Sequence, residues 1–178
     1  MTMPTLKLRL LGATAVLCAL PALTGADIPA TPYAPLNFLV GHCWRGAIAG
    51  SPAVDEHCFS WVYGEKFIRD RHVLHRGAGK PDAYGETLYV WDSAARTLEY
   101  LYIESEGGSL RGTVASEEDA LVFPEAHFIE NGADQLIRSR WTRRGADAYE
   151  VRTEFQVNGR WAPGFAAHMQ RSGDAPAD

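Results

Sequence analysis

His72 and His75 stand three residues apart, and Asp70 precedes His72 by two. On a helix, a His-x-x-His pair shares one face and could hold a metal. On a strand, residues three apart point to opposite faces, so no shared metal is expected. His72 keeps a second use: an imidazole beside a carboxylate, from Asp70 or from Glu86 on the next segment, can move a proton near neutral pH. His42 and His57 each sit beside a cysteine, Cys43 and Cys58. If those cysteines bridge, their sulfurs cannot ligate zinc, and both histidines become local structure.

A wider polar set is spread over strand-like segments: His72, Glu86, Tyr102, Glu104, Arg138 and Arg140. If the faces that carry them turn inward, the arginines can clamp a carboxylate or phosphate, and the aromatic neighbours can wall a small ligand. If those faces turn outward, the same residues form a ladder of surface ion pairs, each contributing little. Alternation alone does not say which face is inside, and both readings stand. The chain has no Gly-x-Ser-x-Gly elbow, phosphate loop, dinucleotide fingerprint or His-Glu-x-x-His helix. No catalytic residue is assigned, no metal or other cofactor is expected, and binding is preferred to catalysis.

The segments that must position these residues read as strands. Between Tyr149 and Val157, Tyr149, Val151, Thr153, Phe155 and Val157 alternate with Glu150, Arg152, Glu154 and Gln156. That is the period of a half-buried antiparallel strand. Leu98, Tyr100 and Tyr102 are interleaved with Leu101 and Ile103, so that segment is apolar on both faces and suggests two-sided burial. Turn signals recur throughout, among them Gly107-Gly108, Asn131-Gly132 and Asn158-Gly159, and such pairs supply the positive φ of tight hairpins. They predict about ten strands, near residues 40–49, 54–63, 66–75, 85–92, 97–104, 109–115, 120–129, 135–143, 148–157 and 161–171. Consecutive hairpins without a long crossover make a meander. Closing it removes both sheet edges, which predicts an all-β, antiparallel up-and-down barrel. A short turn near residues 35–40 is the one helical element expected.

Residues 1–26 differ from the rest: Lys7 and Arg9, then an apolar run over residues 10–23, then Thr24-Gly25-Ala26. This is the pattern of a secretory signal peptide, too short for a membrane span. Its removal takes two of the 17 basic residues and none of the 22 acidic ones, moving the net charge from -5 to -7. A negative chain without a basic run is a poor partner for nucleic acid, and no second apolar stretch is long enough to span a bilayer. Residues 27–35, with three prolines, predict an extended lead-in, residues 36–171 the barrel, and residues 172–178 a disordered tail. Export would favour a Cys43–Cys58 disulfide over two free, buried thiols.

Residues 36–46 (LNFLVGHCWRG) resemble the first strand of lipocalin-like (calycin) barrels, in which a short turn leads into a Gly-x-Trp element; the spacing from Gly41 to Trp44 is one residue longer. The resemblance implies that Arg171, near the end of the last strand, packs across Trp44 as a cation–π contact. The mature chain also resembles a bacterial family of secreted lipocalin-like proteins without assigned function, best over residues 70–92 (DRHVLHRGAGKPDAYGETLYVWD). A second likeness is to nitrobindins, haem-binding barrels, and it implies His168 as an iron ligand. The expectation is therefore a periplasmic or secreted barrel binding a small amphipathic or anionic molecule. The alternatives are a haem or nitric-oxide protein using His168, a small hydrolase or isomerase, and a structural envelope protein with a filled barrel.

Overall fold

The structure, a computed structural model, describes residues 31–77 and 79–176. The segment read as a signal peptide lies outside these residues. Ten strands follow in order: β1 (His42–Ala47), β2 (Val54–Val62), β3 (Phe67–His75), β4 (Ala83–Asp92), β5 (Thr97–Glu104), β6 (Ser109–Glu117), β7 (Ala120–Glu130), β8 (Ala133–Arg143), β9 (Ala148–Val157) and β10 (Arg160–Asp174). Each pairs antiparallel with its neighbours in sequence, and β10 pairs with β1 to close the barrel. No sheet edge is left open, which is the outcome that alternating strands joined by short turns favour. The Asn131-Gly132 and Asn158-Gly159 hairpins both have the two positive φ values that their sequences predict. No helix among the described residues is long and apolar enough to cross a membrane.

Two boundaries differ from expectation. The last strand does not stop at Arg171: Gly173 pairs with Cys43 and Asp174 with His42, because β1 needs a partner along its whole length to close the sheet. The lead-in is not extended where it is described. It turns at Pro32 and Tyr33 into a single 3-10 turn, Ala34–Leu36. Proline suits that place, since its fixed φ is compatible with the first turn of a helix.

That N-terminal turn stoppers one end of the barrel. Tyr33, Leu36 and Leu39 are buried in the core with Trp44, Phe59 and Tyr149. The Tyr33 hydroxyl donates to the Lys66 carbonyl at 2.9 Å and accepts from the Trp91 amide at 3.0 Å, tying the stopper to the β2–β3 turn and to β4. Trp44 is fully buried, and its indole Nε1 donates to the Leu39 carbonyl at 3.1 Å. The arginine expected over it is elsewhere. Arg171 is the register partner of Trp44, but its guanidinium reaches His42 and Asp147 at the surface. Ala167 and Met169 on β10 are buried, so Arg171 starts on the inner face like Trp44, but at the barrel end its long side chain reaches solvent and pairs with Asp147 there. The arginine that lies over an aromatic ring at this end is Arg143, 5.4 Å from Phe38.

Cys43 and Cys58 are direct cross-strand partners on β1 and β2 and form a disulfide. The bridge closes a loop with a sequence separation of 15. Replacing both cysteines by alanine is expected to cost about 3 kcal/mol, the chain-entropy value for a loop of that length. The midpoint of urea unfolding reads this, with dithiothreitol-treated wild type matching the double variant.

The interior is aromatic. Inward positions of β9 are Tyr149, Val151 and Thr153, all buried, as the period-two pattern predicts. On β5, Leu98, Tyr100 and Tyr102 turn inward. The second apolar face of that strand is not covered: Ile103 is half exposed, so the expectation of two-sided burial does not hold. The wall is interrupted by bulges on β7 and β10, next to Pro124 and Pro163. Proline lacks the amide a regular ladder needs, and bulges are where a sheet tolerates it.

Candidate functional site

The chemistry-bearing groups of the interior come from a repeated short pattern. Asp55-Glu56-His57 on β2 and Asp70-Arg71-His72 on β3 are both Asp-x-His, so in each the two residues share one face. The strands run antiparallel with His57 opposite His72. All four side chains therefore meet on the inner wall, each aspartate lying diagonal to the other strand's histidine.

They form a continuous hydrogen-bonded row. His57 Nδ1 donates to Asp70 Oδ2 at 2.7 Å, and His57 Nε2 donates to Asp55 Oδ2 at 3.2 Å. On the other side of Asp55, His72 Nε2 donates to Oδ1 at 2.5 Å. The Tyr102 hydroxyl, 3.3 Å from His72 Nδ1, completes the row. The two imidazoles are stacked, with centroids 4.4 Å apart and planes 6° from parallel. Asp70 is 1% exposed and His57 8%.

The electrostatics follow from this packing. Burial alone would push the His57 imidazole down, but Asp70 and Asp55 on its two sides outweigh it and hold it well above its ordinary value. Burial would likewise raise Asp55, yet His57 and His72 hold its carboxyl well below the usual carboxylate range. The tyrosines move the other way: burial pushes the Tyr100 phenol up to about 12, and burial together with Glu104 and Asp55 pushes Tyr102 higher still. Each phenol therefore keeps its proton.

This row is one wall of a cavity of about 240 Å3, completed by Tyr89, Tyr100, Phe123, Trp141 and Phe155. None of Tyr33, Leu36 and Leu39 lines it. One oxygen, Asp70 Oδ1, is buried without a hydrogen-bond partner among the described residues. Asp55, His57 and His72 also offer one nitrogen or oxygen atom each within 4.8 Å of one another, a set that could hold a metal ion.

Gly85 makes the Tyr102 contact possible. It is the β4 partner of His72, and the Tyr102 ring lies across it. A Cβ there would meet Tyr102 Cε2 at 2.8 Å, its hydroxyl at 3.0 Å and the Ile103 carbonyl at 3.2 Å. Gly85→Val is expected to cost about 1–3 kcal/mol through overpacking. It also moves the Tyr102 hydroxyl off His72, which tyrosine-ring NMR shifts in the variant will show.

Of the six residues that the sequence suggested as a polar cluster, the structure brings two together: His72 and Tyr102. Glu104 sits at the rim, where its carboxylate accepts the amides of Glu106 and Gly108 and shapes the β5–β6 turn. Glu86, paired with Arg71 in register, is on the outer face within 4.0 Å of Arg69. Arg140 is outside, bound to Glu117 at 2.7 Å. Arg138 borders the cavity, but its guanidinium is held by Glu154 at 2.7 Å and lies over Trp161. For Glu86 and Arg140 the external ladder is the arrangement present; Arg138 lines the cavity with its guanidinium paired to Glu154. His75 is bound to Asp82 at 2.9 Å, away from His72. His168 is exposed between the inward Ala167 and Met169, so it does not point into the barrel. No protein-family model matches the chain, and no curated protein matches it.

Proposed function

We propose that this barrel binds a small molecule with an apolar, ring-sized body and a hydrogen-bond-donating head, and that it does so after export. The observation that carries the reading is Asp70 Oδ1, a buried carboxylate oxygen without a partner among the described residues, in the wall of a largely apolar cavity. Such an atom costs about 1–3 kcal/mol or more unless a donor reaches it. An amine or hydroxyl supplies that donor. The cavity volume lies just below the range usual for drug-sized ligands, which favours a molecule with a single ring or a short chain. Arg140 is paired with Glu117 outside, Arg138 at the cavity border is held by Glu154, and two carboxylates face the interior. These facts support a neutral or cationic head over the anionic one. The closed ten-strand barrel is compatible with the lipocalin-like resemblance, and the disulfide is compatible with an oxidising compartment.

Calorimetric titration with benzylamine, benzyl alcohol and benzoate tests the reading. Benzylamine and benzyl alcohol are expected to bind, benzoate far more weakly, and Ser139→Trp, which fills the cavity wall between β8 and β9, is expected to abolish binding. Tightest binding by benzoate, or binding of all three unchanged in Ser139→Trp, would overturn it.

A further inference from the structure

We propose that Asp55, His57 and His72 form a binding site for one divalent first-row transition-metal ion, of the zinc and iron(II) class. This goes beyond the ligand reading and does not depend on it. The geometry points to it in four ways.

The donor atoms converge. Both Nε2 atoms face the same carboxylate, at 3.2 Å for His57 and 2.5 Å for His72, from stacked rings on adjacent strands. Bonds of 2.0–2.2 Å in a tetrahedral shell would set neighbouring donors roughly 3.3–3.5 Å apart. The His57–Asp55 distance is nearly that already. The Asp55 carboxylate has to withdraw from His72 by about 1 Å, a side-chain rotation, for an ion to enter among the three.

The outer atoms of both rings are held. His57 Nδ1 is fixed by Asp70 at 2.7 Å, and His72 Nδ1 faces the Tyr102 hydroxyl. A ligating histidine almost always has its second nitrogen bound this way, to a carboxylate or another polar group, which sets the ring's orientation. Two histidines so backed, side by side and aimed at one carboxylate, are more than the fold needs for closure.

The charge balances. Asp55 and Asp70 are two buried carboxylates in the barrel wall. On binding, His57 gives up its Nε2 proton and keeps Nδ1–H for Asp70, and His72 carries its proton on Nδ1 towards the Tyr102 hydroxyl; a doubly charged cation beside the two neutral imidazoles then offsets both carboxylates. The donor set also selects. Two imidazoles and a carboxylate without a thiolate suit zinc, iron(II), cobalt(II) or nickel, and the all-oxygen shells of calcium and magnesium are not on offer. The only two cysteines among the described residues are consumed in the disulfide on β1 and β2.

The site is open on one side. Three protein donors line the cavity wall, so the remaining coordination positions face the cavity. That is the pattern of sites that keep a position for water or a ligand, not of closed structural ones.

The test uses tag-free chain with its disulfide intact, stripped with a chelator. Zinc chloride is titrated by calorimetry and native mass spectrometry, and cobalt chloride is followed by its visible absorption. One ion per chain is expected. Asp55→Asn and His72→Gln should lose the tight site, and Asp70→Asn should weaken it by about 10–100-fold, as for other groups that back a ligand. His75→Ala, at the exposed rim beside Asp82, should bind as wild type does. Circular dichroism reports whether each variant is folded, and His72→Gln carries the test if Asp55→Asn is not. Absence of stoichiometric zinc binding, binding unchanged in folded His72→Gln, or binding lost in His75→Ala would each overturn the assignment. The benzylamine titration reads the ligand proposal separately, so either can fail alone.

Discussion

Trp44→Ala is expected to lower the unfolding free energy by about 3–5 kcal/mol, the range for deleting a large aromatic side chain from a packed core. The indole is fully buried and meets Tyr149 edge-on at 5.2 Å and Phe38 at 6.2 Å. Its Nε1 also anchors the N-terminal stopper through the Leu39 carbonyl. Removing the ring opens a void and frees that carbonyl in the same step. Against a total stability of roughly 5–15 kcal/mol for a domain, the loss shows as a large fall in the urea midpoint. Trp44→Phe keeps most of the bulk but leaves the Leu39 carbonyl unsatisfied, for about 1–3 kcal/mol. Arg171→Ala provides the contrast. Its ion pair with Asp147 is exposed, and pairs of that kind contribute about 0–1 kcal/mol. A loss in Arg171→Ala as large as in Trp44→Ala would restore the expectation that the arginine seals the barrel base through the tryptophan.

Asp70→Ala is expected to cost a similar amount, about 3–5 kcal/mol, for a different reason. It removes one of two carboxylates from a buried His57 that donates through both nitrogens. The protein then either carries an undercompensated charge in its core or gives up the proton and one hydrogen bond. Replacing both partners with apolar groups removes the need for compensation, so Asp70→Leu with His57→Leu should recover part of the loss. The double-mutant cycle on urea midpoints reads the coupling directly. A coupling near zero would mean that the row contributes nothing as a unit.

The fold was legible because its signals are local. Period-two alternation on β9 and Asn-Gly turns need no knowledge of distant partners, and ten strands closing into a barrel follow from them. The site was not legible in the same way. Asp70 and His72 were seen to share a face, but whether that face was inside depended on the register of the whole barrel. His57 was read as a neighbour of Cys58, when its relevant neighbour is His72 across the strand pair. The available signal was the repeated Asp-x-His on two successive strands, which antiparallel pairing can superpose. Glu86 and Arg140 misled because an alternating face of charges beside apolar residues looks the same from either side of a sheet. Arg171 misled because its ion partner was not foreseen: Asp147, in the turn between β8 and β9, holds the guanidinium at the surface.

Native mass spectrometry of the protein purified from its own cells without denaturation tests the central claim, that the barrel interior is a ligand site, most directly. A single small adduct is expected, released on denaturation, with a fragment spectrum carrying an amine or hydroxyl on an apolar body, and missing from Ser139→Trp. The bare chain mass from wild type in every charge state, unchanged after incubation with extract of the same cells, would contradict it.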